Sequence, residues 1–149
     1  YKTNRGWQWT FHSDGQKVIY FSIDLNSKKN IKNFVRNIET VIIRILDNYK
    51  IKSFSDPNNI GIWVKNKNNS EKIAAIGIRV KKWVAFHGFS LNVNVNKKDY
   101  NGIVPCGIRD KGIANMTDFI NFSEINDLND IIISEFKKTF PNMFWNYLE

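Results

Sequence analysis

The sequence predicts a single α+β domain, with a mixed, largely antiparallel sheet packed against helices. Three observations predict it. Short stretches with alternating apolar residues recur along the chain. One long stripe at helical spacing interrupts them early, and a second closes the sequence. No linker, low-complexity tract or internal repeat divides the 149 residues, a length that suits one core.

The elements follow in order. Trp7, Trp9 and Phe11 alternate with Gln8, Thr10 and His12 as a first strand, and Ser13-Asp14-Gly15 is a turn signal. Residues 16–25 form a second extended run. Asn26, Ser27 and Asn30 supply loop and N-cap chemistry before a helix over about 31–49. Its apolar stripe is Ile31, Phe34, Val35, Ile38, Val41, Ile42, Ile45, Leu46 and Tyr49, spaced to cover one face against a sheet. Strands are expected at 60–64 and 72–80, separated by the polar turn KNKNNSE, and again over 83–95. Residues 101–112 read as irregular. Ser123 and Asn126 open a last helix carrying Leu128, Ile131, Ile132 and Phe136, and Pro141 ends it.

Composition narrows the function classes. The chain is 42% hydrophobic, too apolar for a disordered segment, and has no apolar run of the roughly 20 residues a membrane span needs. Its net charge is +8, but 21 Asn, 21 Ile and 17 Lys indicate that part of this excess is compositional, and no run of five like charges forms a basic tail. A basic balance alone fits nucleic acid, an anionic membrane or an acidic protein. One Cys excludes an intrachain disulfide and suggests a reducing compartment. No HxxxH, HExxH or CxxC spacing occurs, so a metal site is not expected. The chain starts at Tyr1 without a signal or transit peptide pattern, and reads as a fragment or processed product.

Cys106 is the first chemical candidate. A lone Cys is more often a small buried hydrophobe than a nucleophile. Pro105 and Gly107, however, place it on a loop, where backbone N–H groups can receive an anion. A thiol with a pKa near 8.5 needs a basic or cationic neighbour to act as thiolate at pH 7, and spacing alone does not name one. Lys72 heads KIAAIGIRV, whose small residues Ala74, Ala75 and Gly77 permit close approach of another chain or ligand; an exposed strand-end lysine is the bland alternative. His12 and His87, the only histidines, each flank an aromatic. They fit a Cys/His pair or a satisfied structural role.

Four segments in fixed order resemble the lipoyl(octanoyl) transferases, also called lipoate-protein ligase B. They are Arg5-Gly6…Thr10-Phe11-His12…Gly15-Gln16; Gly61-Ile62-Trp63-Val64; Lys72-Ile73-Ala74-Ala75-Ile76-Gly77-Ile78-Arg79-Val80; and His87-Gly88-Phe89-Ser90-Leu91-Asn92 leading to Pro105-Cys106-Gly107. The resemblance spans nearly the whole chain. It implies the fold of biotin and lipoate ligases, in a single octanoyltransferase domain over 1–149 that lacks the family's N-terminal strands and helix. It also implies a Cys–Lys dyad, with Cys106 as nucleophile and Lys72 lowering its pKa and shuttling the proton. Cys106 would take octanoyl from acyl carrier protein and pass it to a lysine of a lipoyl domain, in 2-oxoacid dehydrogenases or the glycine cleavage H protein. That is the first step of lipoate biosynthesis. Arg5, Gly6, Trp7, Gln8, Trp9, Thr10, Phe11 and His12, with Ala75, Ile76, Gly77, His87, Gly88, Phe89 and Ser90, would line the acyl pocket and the approach of the acceptor lysine.

The resemblance further implies a monomer without cofactor, cytoplasmic in bacteria or in an organellar matrix in eukaryotes. Trp7 stands where the family has a second Gly, and Ser13-Asp14 where it has Gly-Pro. These departures motivate a competing expectation, a weakened or inactive relative that only binds an acidic carrier domain. A basic nucleic-acid-binding module is the third, supported by +8 and by aromatics beside lysines, as in Lys81-Lys82-Trp83. It lacks a recognised motif.

Overall fold

The computed structural model describes residues 12–67, 69–100 and 112–141. The elements run β1 (Gln16–Asp24), α1 (Ile31–Asn48), β2 (Ser53–Asp56), β3 (Asn59–Asn66), β4 (Asn69–Lys81), β5 (Val84–Asn92) and α2 (Leu128–Thr139), with short 3-10 turns between β5 and α2. One antiparallel sheet holds all five strands in the order β1-β5-β4-β3-β2. The α+β class expected from the sequence is therefore the observed one. No helix among the described residues is long and apolar enough to cross a membrane.

The helical stripe sets how the layers meet. Asn30 caps α1 by accepting from the Asn33 N–H at 2.9 Å. Phe34, Ile38, Val41, Ile42, Ile45 and Leu46 are buried along one face, whereas Ile31 at the first position is 43% exposed. That face meets Ile62, Val64, Ile73, Ala74, Phe89 and Leu91 of the sheet. α2 adds Phe136, whose ring stacks on Phe89 at 6.1 Å and lies 5.9 Å from Phe21, while Phe21 meets Phe34 edge-on. Tyr49, just past α1, donates a hydrogen bond to Asp127, the N-cap residue of α2, at 2.9 Å.

Several boundaries differ from the sequence reading. The first strand expected at 7–11 lies outside the described residues. The polar turn expected at 65–71 contracts, because Asn66 pairs with Asn69 and both strands extend into it. Hairpin pairing satisfies the backbone there whatever the side chains prefer. β2 was not expected; its four half-buried residues carry no clear period. The last helix starts at Leu128, not at Ser123 or Asn126, since Phe122–Glu124 form a separate 3-10 turn and Asp127 occupies the N-cap. β5 ends at Asn92. Beyond it the Asn115 side chain accepts from the Val95 N–H at 3.1 Å and donates to its carbonyl at 2.9 Å, which replaces strand pairing.

Candidate active site

Register decides which side chains share a face. Ile62 pairs with Ala74, but Trp63 pairs with Lys72, so Ile73 is an extra residue on β4. A bulge of this kind breaks the strict alternation of side chains. Ile73 and Ala74 both serve the core, and Lys72 joins Trp63 on the face away from the helices. Under strict alternation from Ala74, Ile73 would face away and Lys72 would point among the helices. The same face carries Ala75 opposite Ser90, Gly77 opposite Gly88, and Gln16 opposite Asn92.

Lys72 is 4% exposed. Its Nζ donates to the Ile60 carbonyl at 3.0 Å and sits 4.7 Å from the centre of the Trp63 ring. A carbonyl and an indole face offset part of the cost of burying an ammonium. Gly61 makes room for it. Its φ is +128°, and a Cβ there would come within 2.8 Å of the Ala74 carbonyl and 3.1 Å of Lys72 Cε. Among the described residues no carboxylate pairs with Lys72.

At Lys72 the neighbour of β4 changes. Downstream, Ala74 pairs with Leu91 of β5. At Lys72 itself the segment 112–114 takes that side: the Lys72 N–H donates to the Gly112 carbonyl at 2.9 Å, and the Ala114 N–H donates to the Lys72 carbonyl at 3.0 Å. Asn92 spans the junction. Buried at 5% exposure, it donates through Nδ2 to the carbonyls of Ala114 (3.2 Å) and Lys72 (3.4 Å). Its Oδ1 accepts from Gln16 Nε2 at 2.8 Å, and Gln16 Oε1 lies 2.6 Å from His12 Nδ1.

The expected site residues divide accordingly. Lys72, Ala75, Gly77, Gly88 and Ser90 share the face away from the helices, and the Gln16–Asn92 link ties His12 to it. Gly77 has open space where a Cβ would stand, whereas a Cβ at Gly88 would collide with the Ile19 carbonyl. Together these small residues form a lane that carries little side-chain volume of its own. Phe89 turns into the core and Ile76 packs against it, so these two offer the lane backbone only. His87 has φ +73°, and its ring lies 4.8 Å from that of Phe86. Neighbours on a regular strand point to opposite faces, so the strained backbone at His87 gathers two rings that would otherwise part. Arg5, Gly6, Trp7, Gln8, Trp9, Thr10, Phe11 and Cys106 lie outside the described residues. The sequence reading did not name Gln16 and Asn92 as site residues. Their signal was position: each closes one of the quoted segments.

A family model for the lipoyl protein ligase A/B catalytic domain matches residues 1–140. The chain belongs to this family. Among curated relatives, the octanoyltransferase of Wolbachia pipientis subsp. Culex pipiens is 42% identical over 142 residues, covering 94% of this chain and 69% of the relative. That of Rickettsia bellii is 40% identical over 142 residues, covering 93% and 68%. Within the family, this chain is thus an octanoyltransferase homologue and an acyltransferase. Two solved structures share the fold. A bi-partite lipoate protein ligase from Thermoplasma acidophilum has TM-score 0.66 at 15% identity, covering 91% of this chain and 55% of that one. Apo biotin protein ligase from Aquifex aeolicus has TM-score 0.62 at 12% identity, covering 85% and 53%.

Proposed function

We propose that this chain transfers octanoyl from an acyl carrier protein thioester to a lysine of a lipoyl domain, through an acyl-enzyme on Cys106. The observation that carries the reading is the buried ammonium of Lys72, which has no carboxylate partner among the described residues and whose backbone N–H donates to Gly112, six residues after Cys106 in the chain. A buried cation favours an anion beside it, and an ammonium stabilises thiolate over thiol.

In the first stage the Cys106 thiolate attacks the donor thioester carbonyl. The new C–S bond forms as the old one breaks, and the leaving thiolate takes a proton from the Lys72 ammonium. In the second stage the acceptor ε-amine attacks the Cys106 thioester. An amide forms, Cys106 leaves as thiolate, and the amine's proton returns to Lys72. Charges balance across the cycle and no redox partner is required. Two stages through a covalent intermediate give ping-pong kinetics.

The lane of Ala75, Gly77, Gly88 and Ser90 suits an unbranched acyl chain, which gains about 0.8 kcal/mol for each CH₂ it buries. A lipoyl-domain acceptor is supported by the Thermoplasma acidophilum lipoylation system, whose ligase shares the fold and is described with its E2 lipoyl domain. Incubation with octanoyl–acyl carrier protein should give a hydroxylamine-labile octanoyl adduct by intact mass, absent in Cys106→Ala. No adduct in the parent, or an adduct persisting in Cys106→Ala, would sink the reading.

A further inference from the structure

We propose that Asn92 and Gln16 are positioning residues that fix the tautomer of His12, placing its proton on Nδ1 and leaving Nε2 as the accepting nitrogen. The inference rests on reading this face as the acyl-transfer site. Its logic begins at two backbone carbonyls and moves outward.

Carbonyl oxygens only accept. Asn92 faces those of Lys72 and Ala114, so the amide nitrogen must be the atom turned toward them; the opposite orientation would set three oxygens against one another in a buried site. With its N–H groups committed there, Asn92 offers Gln16 only an oxygen. Gln16 must therefore donate through Nε2, which it does at 2.8 Å. Only Oε1 then remains to face His12, and it too can only accept. The 2.6 Å contact requires a proton on Nδ1 of His12. In the neutral ring, Nε2 is then the lone-pair nitrogen. The order of donors runs from the ring to the backbone of the strand that carries Lys72, and each link depends on the one before it.

The arrangement has a consequence for chemistry. An imidazole held this way accepts a hydrogen bond or proton through Nε2 instead of donating through it. The anchor is shared: Asn92 also pins the 112–114 segment, which follows Cys106, to Lys72. One buried amide thus orders His12 and the Lys72 junction together.

The test is direct because the chain has two histidines. Long-range ¹H–¹⁵N correlation of the ¹⁵N-histidine-labelled chain, with His87→Asn used for assignment, reports the tautomer of His12. The expected spectrum at pH 8 shows Nδ1 as the protonated nitrogen. In Gln16→Met the signature should revert toward the Nε2–H form that predominates in free histidine, and Asn92→Leu should do the same by removing the group that orients Gln16. If Asn92→Leu fails to fold, Gln16→Met alone decides. Turnover in Gln16→Met should fall about tenfold in kcat with little change in KM, the size of loss seen when an orienting partner is removed. A His12 protonated on Nε2 in the parent, or a signature unchanged in Gln16→Met, overturns the relay. The parent's octanoyl adduct is a separate readout: its absence would overturn the function proposed above, while the nitrogen spectrum still decides the relay.

Discussion

The two faces of one sheet are built on opposite terms. Against the helices, Ile62, Val64, Ile73, Phe89 and Leu91 are large, apolar and closely packed. On the other face, paired positions hold Gly77 with Gly88 and Ala75 with Ser90, and the largest polar investment is a buried lysine held by a carbonyl and an indole. The first face gains stability from area removed from water. The second, apart from the buried Trp63, has less of that gain and holds polar groups where burial is costly. Sites that bind or react commonly show this exchange.

Substitutions separate the two faces. Phe136→Ala should have the largest effect, since the ring contacts Phe21, Phe89 and Phe140 at once. A loss of about 3–5 kcal/mol is expected, a large part of the 5–15 kcal/mol typical of a whole domain. Urea titration followed by tryptophan fluorescence would measure it, and a loss under about 1 kcal/mol would break the comparison.

The facing glycines give a sharper contrast. Gly88→Ala drives a methyl into the Ile19 carbonyl and should cost about 2 kcal/mol. Gly77→Ala meets open space and should change stability by less than about 0.5 kcal/mol. If Gly77 lies along the acyl path, the same substitution should slow octanoyl transfer roughly tenfold, a barrier change of about 1.4 kcal/mol. Equal melting shifts in the two variants would contradict the account of the lane.

A change smaller than that at Gly88 is expected at the helix junction. Tyr49→Phe removes the bond to Asp127 and should cost about 1 kcal/mol at pH 7. Burial, then the bond to Asp127 and its charge, push the Tyr49 phenol above its ordinary value of 10.0. The folded state therefore holds the proton more tightly than the unfolded one. That contribution is complete below pH 10 and is lost as pH rises through the raised value. The gap between parent and Tyr49→Phe should accordingly narrow in alkaline titrations.

How much of this was legible varied with the physics involved. The stripe from Phe34 to Leu46 is a sustained helical period, and α1 forms where it predicts. The alternation of Phe89 and Leu91 with Ser90 and Asn92 likewise separates core from site face. The orientation of Lys72 was not legible, because it depends on one extra residue at Ile73 that only strand register reveals. The roles of Gln16 and Asn92 were hidden for a similar reason. They lie 76 positions apart and meet through pairing of β1 with β5. The resemblance implies Ile76 and Phe89 among the lining residues, yet alternation sends their side chains to the core face.

The central claim is that the face away from the helices carries chemistry through Lys72 and that Lys72 itself adds little to stability. Lys72→Met keeps the length of the stem and removes the charge. Measured by intact mass, its rate of octanoyl adduct formation should fall at least about 100-fold, while its melting temperature stays at or above that of the parent, since a buried ammonium without an ionic partner among the described residues is costly to hold. Adduct formation at the parent's rate, or collapse of the fold, would contradict the account.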